Sequence, residues 1–165
     1  ARSPAPAVVY AGASVPTAGA LLRAIAELAP AKRLFATSGV ASPALAEALG
    51  PAGDGLQMVS PLVPVDGRPA PARRFAARYR ERFGAMPEPA AVLGYEAMRG
   101  VLDAIRRAGA EGNDRRAVID AYFATNAASS VIGPYAIDKD GDVTEATIGS
   151  FGVAGGRLHF QGLLG

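Results

Sequence analysis

Few side chains in this sequence could do covalent or metal chemistry. His159 is the only histidine among 165 residues, and no cysteine occurs. One imidazole cannot build a multi-histidine metal centre, and without thiols there is no disulfide, thiolate ligand or cysteine nucleophile. A Ser-His-Asp triad would need a nucleophile elbow of the form Gly-x-Ser-x-Gly, which the sequence lacks. His159 is therefore read as a surface or edge-strand residue. The run Asp138-Lys139-Asp140-Gly141-Asp142 opens like a calcium loop, but the sixth and twelfth positions are Val143 and Gly149 where Gly and Glu are required. A tight acidic turn is expected instead. No catalytic residue, metal site or cofactor is expected.

Two short segments suit a different kind of chemistry. Gly12-Ala13-Ser14 and Thr37-Ser38-Gly39 each close an apolar run and stand just before a helical pattern. In an open α/β sheet, ligands bind outside the carboxyl ends of the strands, where helix N-termini present unpaired N–H groups. Small hydroxyl residues there let a ligand approach the backbone and exchange hydrogen bonds with it. Tight strand-to-helix turns favour the same residues for purely structural reasons. The residues alone leave both readings open. A phosphate loop is not one of them, because the Gly-x-Gly-x-x-Gly spacing is missing.

The elements that must position these segments can be read from periodicity. Ala7 to Gly12 reads as a buried strand, and Leu21, Leu22, Ile25 and Leu28 recur at helical spacing with Thr17 as the expected N-cap and Pro30 as the stop. Leu34 to Gly39 is a second strand, Pro43 to Leu49 a helix, and Gly55 to Ser60 a third strand. Alternation with short connections predicts a parallel sheet with helices on its faces. Pro61 to Pro71 holds four prolines and a glycine and reads as an irregular crossover. Three helices are expected beyond it. The first carries the stripe Phe75, Tyr79, Phe83 and stops at Gly84. The second runs from Pro89 to Ala108 with Leu93, Ala97, Val101, Leu102 and Ile105 on one face. The third is capped by Asp114, with Val118, Ile119, Tyr122 and Phe123 inward. Val131 to Ile137 and Ala146 to Ile148 read as extended, separated by the turn at Asp140-Gly141. Ser150 to Phe160 reads as a β-hairpin turning at Ala154-Gly155-Gly156. The expected class is α/β: a three-layer open parallel sheet flanked by helices, with a C-terminal β-hairpin.

Composition narrows the function classes. Half the residues are hydrophobic and 19% are charged, a globular balance. Apolar stretches are broken by Arg, Glu or Pro well short of the roughly 20 residues that span a bilayer. A net charge of +2, with arginines scattered along helical faces and no interleaved aromatic platforms, argues against nucleic acid as a partner. The start at Ala1 and not Met implies processing, proteolysis or a fragment.

The second half carries a family pattern. Phe75-Ala76-Ala77-Arg78-Tyr79-Arg80-Glu81-Arg82-Phe83-Gly84 is followed by Pro87, Gly94-Tyr95-Glu96-Ala97-Met98 and Leu102-Asp103-Ala104-Ile105-Arg106-Arg107-Ala108-Gly109. Gly133-Pro134-Tyr135-Ala136-Ile137-Asp138 and Asp140-Gly141-Asp142 complete it. This order resembles the periplasmic solute-binding proteins of the leucine/isoleucine/valine-binding type (type 1), receptor components of branched-chain amino-acid ABC importers. The resemblance covers nearly the whole chain, but only the back half of a family member. It implies an incomplete two-lobe binding protein, periplasmic or cell-surface attached, with Ala7 to Leu62 and Val131 to Gly165 in the second lobe. Helices from Pro71 to Phe123 would pack on the first lobe. Their apolar faces would otherwise be covered by another copy of the chain, a companion fragment or repacking.

The function implied is capture of a small polar metabolite (an amino acid or related carboxylate or amide) by hinge closure, for delivery to a membrane permease, with no chemical step. The ligand-binding residues implied are Gly12, Ala13, Ser14, Thr37, Ser38 and Gly39, with Tyr95 as a further candidate for the cleft wall. Relatives often hold the ligand's ammonium with an aromatic residue and an acid, whereas the matching segments here are small and uncharged. The alternative is a ligand-sensing domain of a receptor or transcription regulator with the same fold.

Overall fold

A computed structural model of the chain describes residues 5–164. In chain order these form β1 (Ala7–Tyr10), α1 (Val15–Leu28), β2 (Arg33–Ala36), α2 (Pro43–Leu49) and β3 (Gln57–Ser60). Next come α3 (Ala70–Phe83), α4 (Pro89–Ala108), α5 (Arg115–Phe123), β4 (Asn126–Ala127), β5 (Tyr135–Ala136), β6 (Ile148–Ala154) and β7 (Arg157–Leu164). The chain divides into two compact units, one running to Pro61 and resuming at Ile148, the other spanning Leu62–Thr147.

The first unit is built on a five-stranded sheet of order β1-β2-β3-β6-β7. Strands β1, β2 and β3 are parallel, while β6 runs antiparallel to both β3 and β7. The α/β class holds, with a parallel-rich sheet and a C-terminal hairpin. Register decides which face is buried. Val8 pairs with Leu34, Tyr10 with Ala36, Ala36 with Met58 and Met58 with Phe151, so these side chains share one face. Onto that face α1 and α2 press Ala18, Leu22, Leu45, Ala46 and Leu49, closing one core. The opposite face carries Val9 and Phe35, paired with each other, and Val59. Val9 and Val59 are exposed, and with Phe35 and Leu164 they line a shallow apolar groove of about 390 Å³.

Local signals explain most boundaries. Pro43 at the first turn and Ser42 as N-cap start α2, with the Ser42 hydroxyl accepting from the Leu45 amide at 3.3 Å. For α1 the cap is Ser14 and not Thr17. Pro16 fits the first turn, so the helix starts earlier than expected, and the Thr17 amide donates to Ser14 Oγ. The β6–β7 hairpin turns through Gly155 and Gly156 at φ 57° and 68°, the doubly left-handed turn that matches strand twist and that glycine adopts without a Cβ clash.

The segment Pro61 to Pro71, which leads into the second unit, is less irregular than expected: Val65–Gly67 forms a 3-10 turn and α3 already begins at Ala70. The stripe on α3 exists as tilted ring contacts, with Phe75 to Tyr79 centroids at 5.7 Å and Tyr79 to Phe83 at 4.6 Å. A second core joins Val65, Ala72, Phe75, Ala76, Val92 and Val131. Helix α4 buries a different face from the one its large side chains suggest. Val92, Glu96, Gly100 and Ala104 are buried, while Val101, Leu102 and Ile105 are exposed. The small residues win because they admit close neighbours: a Cβ on Gly100 would sit 3.5 Å from both the Tyr122 ring and the Tyr135 hydroxyl. On α5, Ile119 and Phe123 are likewise exposed, against the expectation that they point inward. Val131 to Pro134 is a turn, and only Tyr135–Ala136 pairs as a strand, against Asn126–Ala127.

Candidate ligand-binding site

Strands β1 and β2 end side by side, and each leads through a short loop into a helix. The Thr37 amide donates to the Tyr10 carbonyl at 3.1 Å, extending the ladder one step past the strands. Beyond that step the two loops touch. A Cβ on Gly39 would lie 2.4 Å from the Gly12 carbonyl oxygen and 3.3 Å from Ala13 Cα, so only glycine permits this approach. The second loop then tightens into a turn, with Val40 N–H donating to Thr37 O and Ala41 N–H to Ser38 O. Gly12, Ala13, Ser14, Thr37, Ser38 and Gly39 are thus gathered at one end of one sheet.

Their polar groups divide into used and available. Ser14 is used, since its hydroxyl lies 2.9 Å from Thr17 Oγ1 and accepts the Thr17 amide. Among the described residues, no hydrogen bond takes up the hydroxyls of Thr37 and Ser38 or the N–H groups of Ala13, Ser38 and Gly39. Ala13, Ser38 and Gly39 are exposed and Thr37 is half-buried, so those groups can be reached. The rim therefore offers backbone donors and hydroxyls that can give or accept.

Tyr10 also belongs to this rim, though nothing in the sequence singled it out as a site residue. Its phenol reaches over the first loop, where a Cβ on Gly12 would meet its oxygen at 2.7 Å, and its hydroxyl approaches the Ser14 carbonyl at 3.5 Å. The signal available was an aromatic at the last strand position, with small residues directly after it.

Tyr95 belongs to the second unit. Its ring stacks on Phe75 with centroids 4.5 Å apart and leaves 38% of the residue exposed. The next residue, Glu96, is the unit's buried acid. Its carboxylate accepts from Arg99 Nε at 3.1 Å, from the Tyr135 hydroxyl at 3.1 Å and from the Val131 amide at 3.3 Å. Burial, and then the Glu96 charge and hydrogen bond, push the Tyr135 phenol up to about 12. Arg68 is also buried, which lowers its pKa, and its Nε donates to the Val63 carbonyl at 3.0 Å. Glu96 thereby ties α4 to the Val131 loop and to β5, and Arg68 ties its own loop to Val63. The acidic run behaves as a turn, because Asp138 Oδ1 accepts from the amides of Asp140 and Asp142, both at 2.9 Å. Among the described residues no cluster of His, Cys, Asp or Glu could hold a metal ion. His159 is exposed on β7, at the sheet edge.

Comparison with known proteins places this architecture. The family model described as periplasmic binding protein matches residues 1–150. The chain belongs to the periplasmic binding protein family. Among solved structures, this binding-protein chain is similar to a leucine-binding protein, LivK, from Thermotoga maritima, at 27% identity and a TM-score of 0.79, over 96% of this chain and 44% of that one. It is also similar to the branched-chain amino-acid binding protein LivJ of Streptococcus pneumoniae, solved with isoleucine (17%, TM-score 0.72, 96% and 44%). A third is a solute-binding protein of an ABC transporter from R. palustris, solved with benzoate (21%, TM-score 0.65, 96% and 42%). The last two likenesses concern the fold. The chain spans less than half the length of each of these relatives. No curated protein matches it by sequence.

Proposed function

We propose that the protein captures a small polar metabolite outside the cytoplasm, in the periplasm or at the cell surface, and hands it to the permease of an ABC importer without altering it. The observation that carries this reading is the meeting of two small-residue loops at the carboxyl ends of β1 and β2, with N–H groups and hydroxyls that are reachable and unpaired. Such a rim can hydrogen-bond a ligand but contains nothing to activate a nucleophile or move a proton. In this reading the first unit belongs to the second lobe of a hinged clamp, and α3 to α5 pack against the first lobe. The exposed apolar stripe Tyr95, Met98, Leu102 and Ile105 on α4 is the surface that contact would cover. Another copy of the chain or a companion fragment are the other covers the reading allows.

The test is calorimetric titration of the whole polypeptide that carries this sequence with branched-chain and aromatic amino acids, their 2-hydroxy analogues, carboxamides and benzoate. Saturable one-site binding of any of these, weakened at least tenfold by Gly39→Val, is expected. No binding by any of them sinks the capture reading.

A further inference from the structure

The distribution of charge in the first unit says what kind of ligand end its rim can accept. Among its described residues the acids are Glu27, Glu47 and Asp54. Glu27 is the penultimate residue of α1, about 18 Å along the axis from the helix start at a rise of 1.5 Å per residue. Asp54 precedes β3 and accepts the Gly155 amide at 2.8 Å, so it sits at the amino end of the parallel strands, opposite the rim. Glu47 is exposed in the last turn of α2, on the side away from the core. Among the described residues the bases avoid the rim too. Arg23 binds the Ala48 carbonyl, Lys32 the Ala5 carbonyl, Arg33 lies over the Phe35 ring at 5.9 Å, and Arg157 comes just after the hairpin turn beside Asp54. The surface that Gly12–Ser14 and Thr37–Gly39 offer a ligand is therefore neutral: amide N–H groups, two hydroxyls and the Tyr10 phenol.

An ammonium group enclosed against such a surface would lose its water and meet no carboxylate. Burying an unpaired charge is the costliest arrangement a closed site can make. A hydroxyl, carbonyl or carboxamide would be satisfied by the same groups, because each can pair with amide donors and with hydroxyls acting either way. Resting on the capture reading above, we propose that the end of the ligand facing this unit is a hydroxyl, carbonyl, carboxamide or carboxylate and not an ammonium, and that ligands with a free ammonium there are rejected. The substrate class is then hydroxy, oxo or amide compounds in preference to unmodified α-amino acids.

Matched pairs test this on the whole polypeptide: L-leucine against 2-hydroxy-4-methylpentanoate and L-phenylalanine against 3-phenyllactate, titrated into wild type and Ser38→Asp. Ser38 is exposed, so the carboxylate can be added without disturbing the core. Wild type is expected to favour each hydroxy acid at least tenfold, and S38D to shift that ratio toward the amino acid by at least tenfold. Amino acids binding wild type as tightly as their hydroxy partners would overturn the inference and leave capture standing. An unchanged ratio in S38D with a wild-type melting curve would overturn it too. Failure of all four probes, and of benzoate, to bind either protein would overturn the capture reading and the inference with it. Should S38D not fold, the wild-type ratio decides alone.

Discussion

Replacing Glu96 with alanine should be among the most damaging single changes in the second unit. The carboxylate is 3% exposed and accepts from three donors of different origin: a helix side chain, a loop amide and a strand phenol. Truncation leaves the Val131 amide and the Tyr135 hydroxyl without that acceptor in a site closed to water. Each such orphan costs about 1–3 kcal/mol. Arg99 suffers less, because it is one-third exposed and keeps its 3.2 Å bond to the Ser129 carbonyl. The two together cost about 2–6 kcal/mol, which spans the roughly 3–5 kcal/mol typical when one partner of a buried charged pair is removed. For a chain of this size that lowers the melting temperature by about 10 °C. Glu96→Gln retains an acceptor but turns two donors toward Arg99 or Val131, and should cost roughly half as much. Urea unfolding monitored by far-ultraviolet circular dichroism measures the loss, and amide exchange at Val131 localises it. Asp103→Ala is the control, since the Asp103–Arg106 pair is exposed and should change stability by under about 1 kcal/mol. A Glu96→Ala variant within about 1 kcal/mol of wild type, with Val131 still protected, would refute the account of this carboxylate as the clamp.

The Tyr135 phenol supplies a pH dependence. Its folded pKa of about 12 lies above the ordinary value of 10, so its contribution is complete below pH 10 and is lost as pH rises from 10 to 12, a loss on the order of 3 kcal/mol. Stability measured over that window should fall less steeply in Tyr135→Phe, and equal slopes would contradict the assignment. Gly39→Ala must part the two rim loops, because the new Cβ would meet the Gly12 carbonyl at 2.4 Å; about 1–3 kcal/mol of stability should go in thermal melts, together with ligand affinity. Leu22→Ala or Leu45→Ala, each fully buried between helices and sheet, should cost about 2–5 kcal/mol in denaturant titrations, whereas Leu28→Ala, 86% exposed, should be nearly silent.

How much of this was legible depended on whether a residue's neighbours lie close in sequence. The helix Pro43–Leu49 and the helix Pro89–Ala108 match the bounds expected from proline, glycine and apolar spacing, because those signals act within a turn or two. Gly84, as C-cap of α3 at φ 72°, was legible for the same reason. The buried side of α4 was not. Leu93, Val101, Leu102 and Ile105 form the stronger hydrophobic stripe, yet packing inside this unit is set by Gly100 and Ala104, whose small size matters only once Tyr122 and Tyr135 arrive from distant positions. Glu96 was similarly opaque: a glutamate in mid-helix reads as solvated until the Val131 amide and the Tyr135 hydroxyl, some 35 and 39 residues away, are placed against it.

The rim shows a sharper limit. Gly12, Ser38 and Gly39 suit a ligand site because small and hydroxyl residues at strand ends admit a ligand, but strand-to-helix turns favour them equally. The two explanations differ in how the polar groups are used. Ser14 and Ser42 are taken up as helix caps, as the structural explanation requires. Thr37 and Ser38 cap nothing, and the Ser38 and Gly39 amides lie outside every helix and ladder among the described residues. A turn needing only compactness would gain nothing from Gly39 at van der Waals contact with Gly12, and would be served by any residue at a looser distance. The contact instead brings the two loops together with their unpaired donors on one rim. That arrangement is a property of backbone geometry, so residue identities alone place the two segments at strand ends but do not show which of their polar groups stay unpaired.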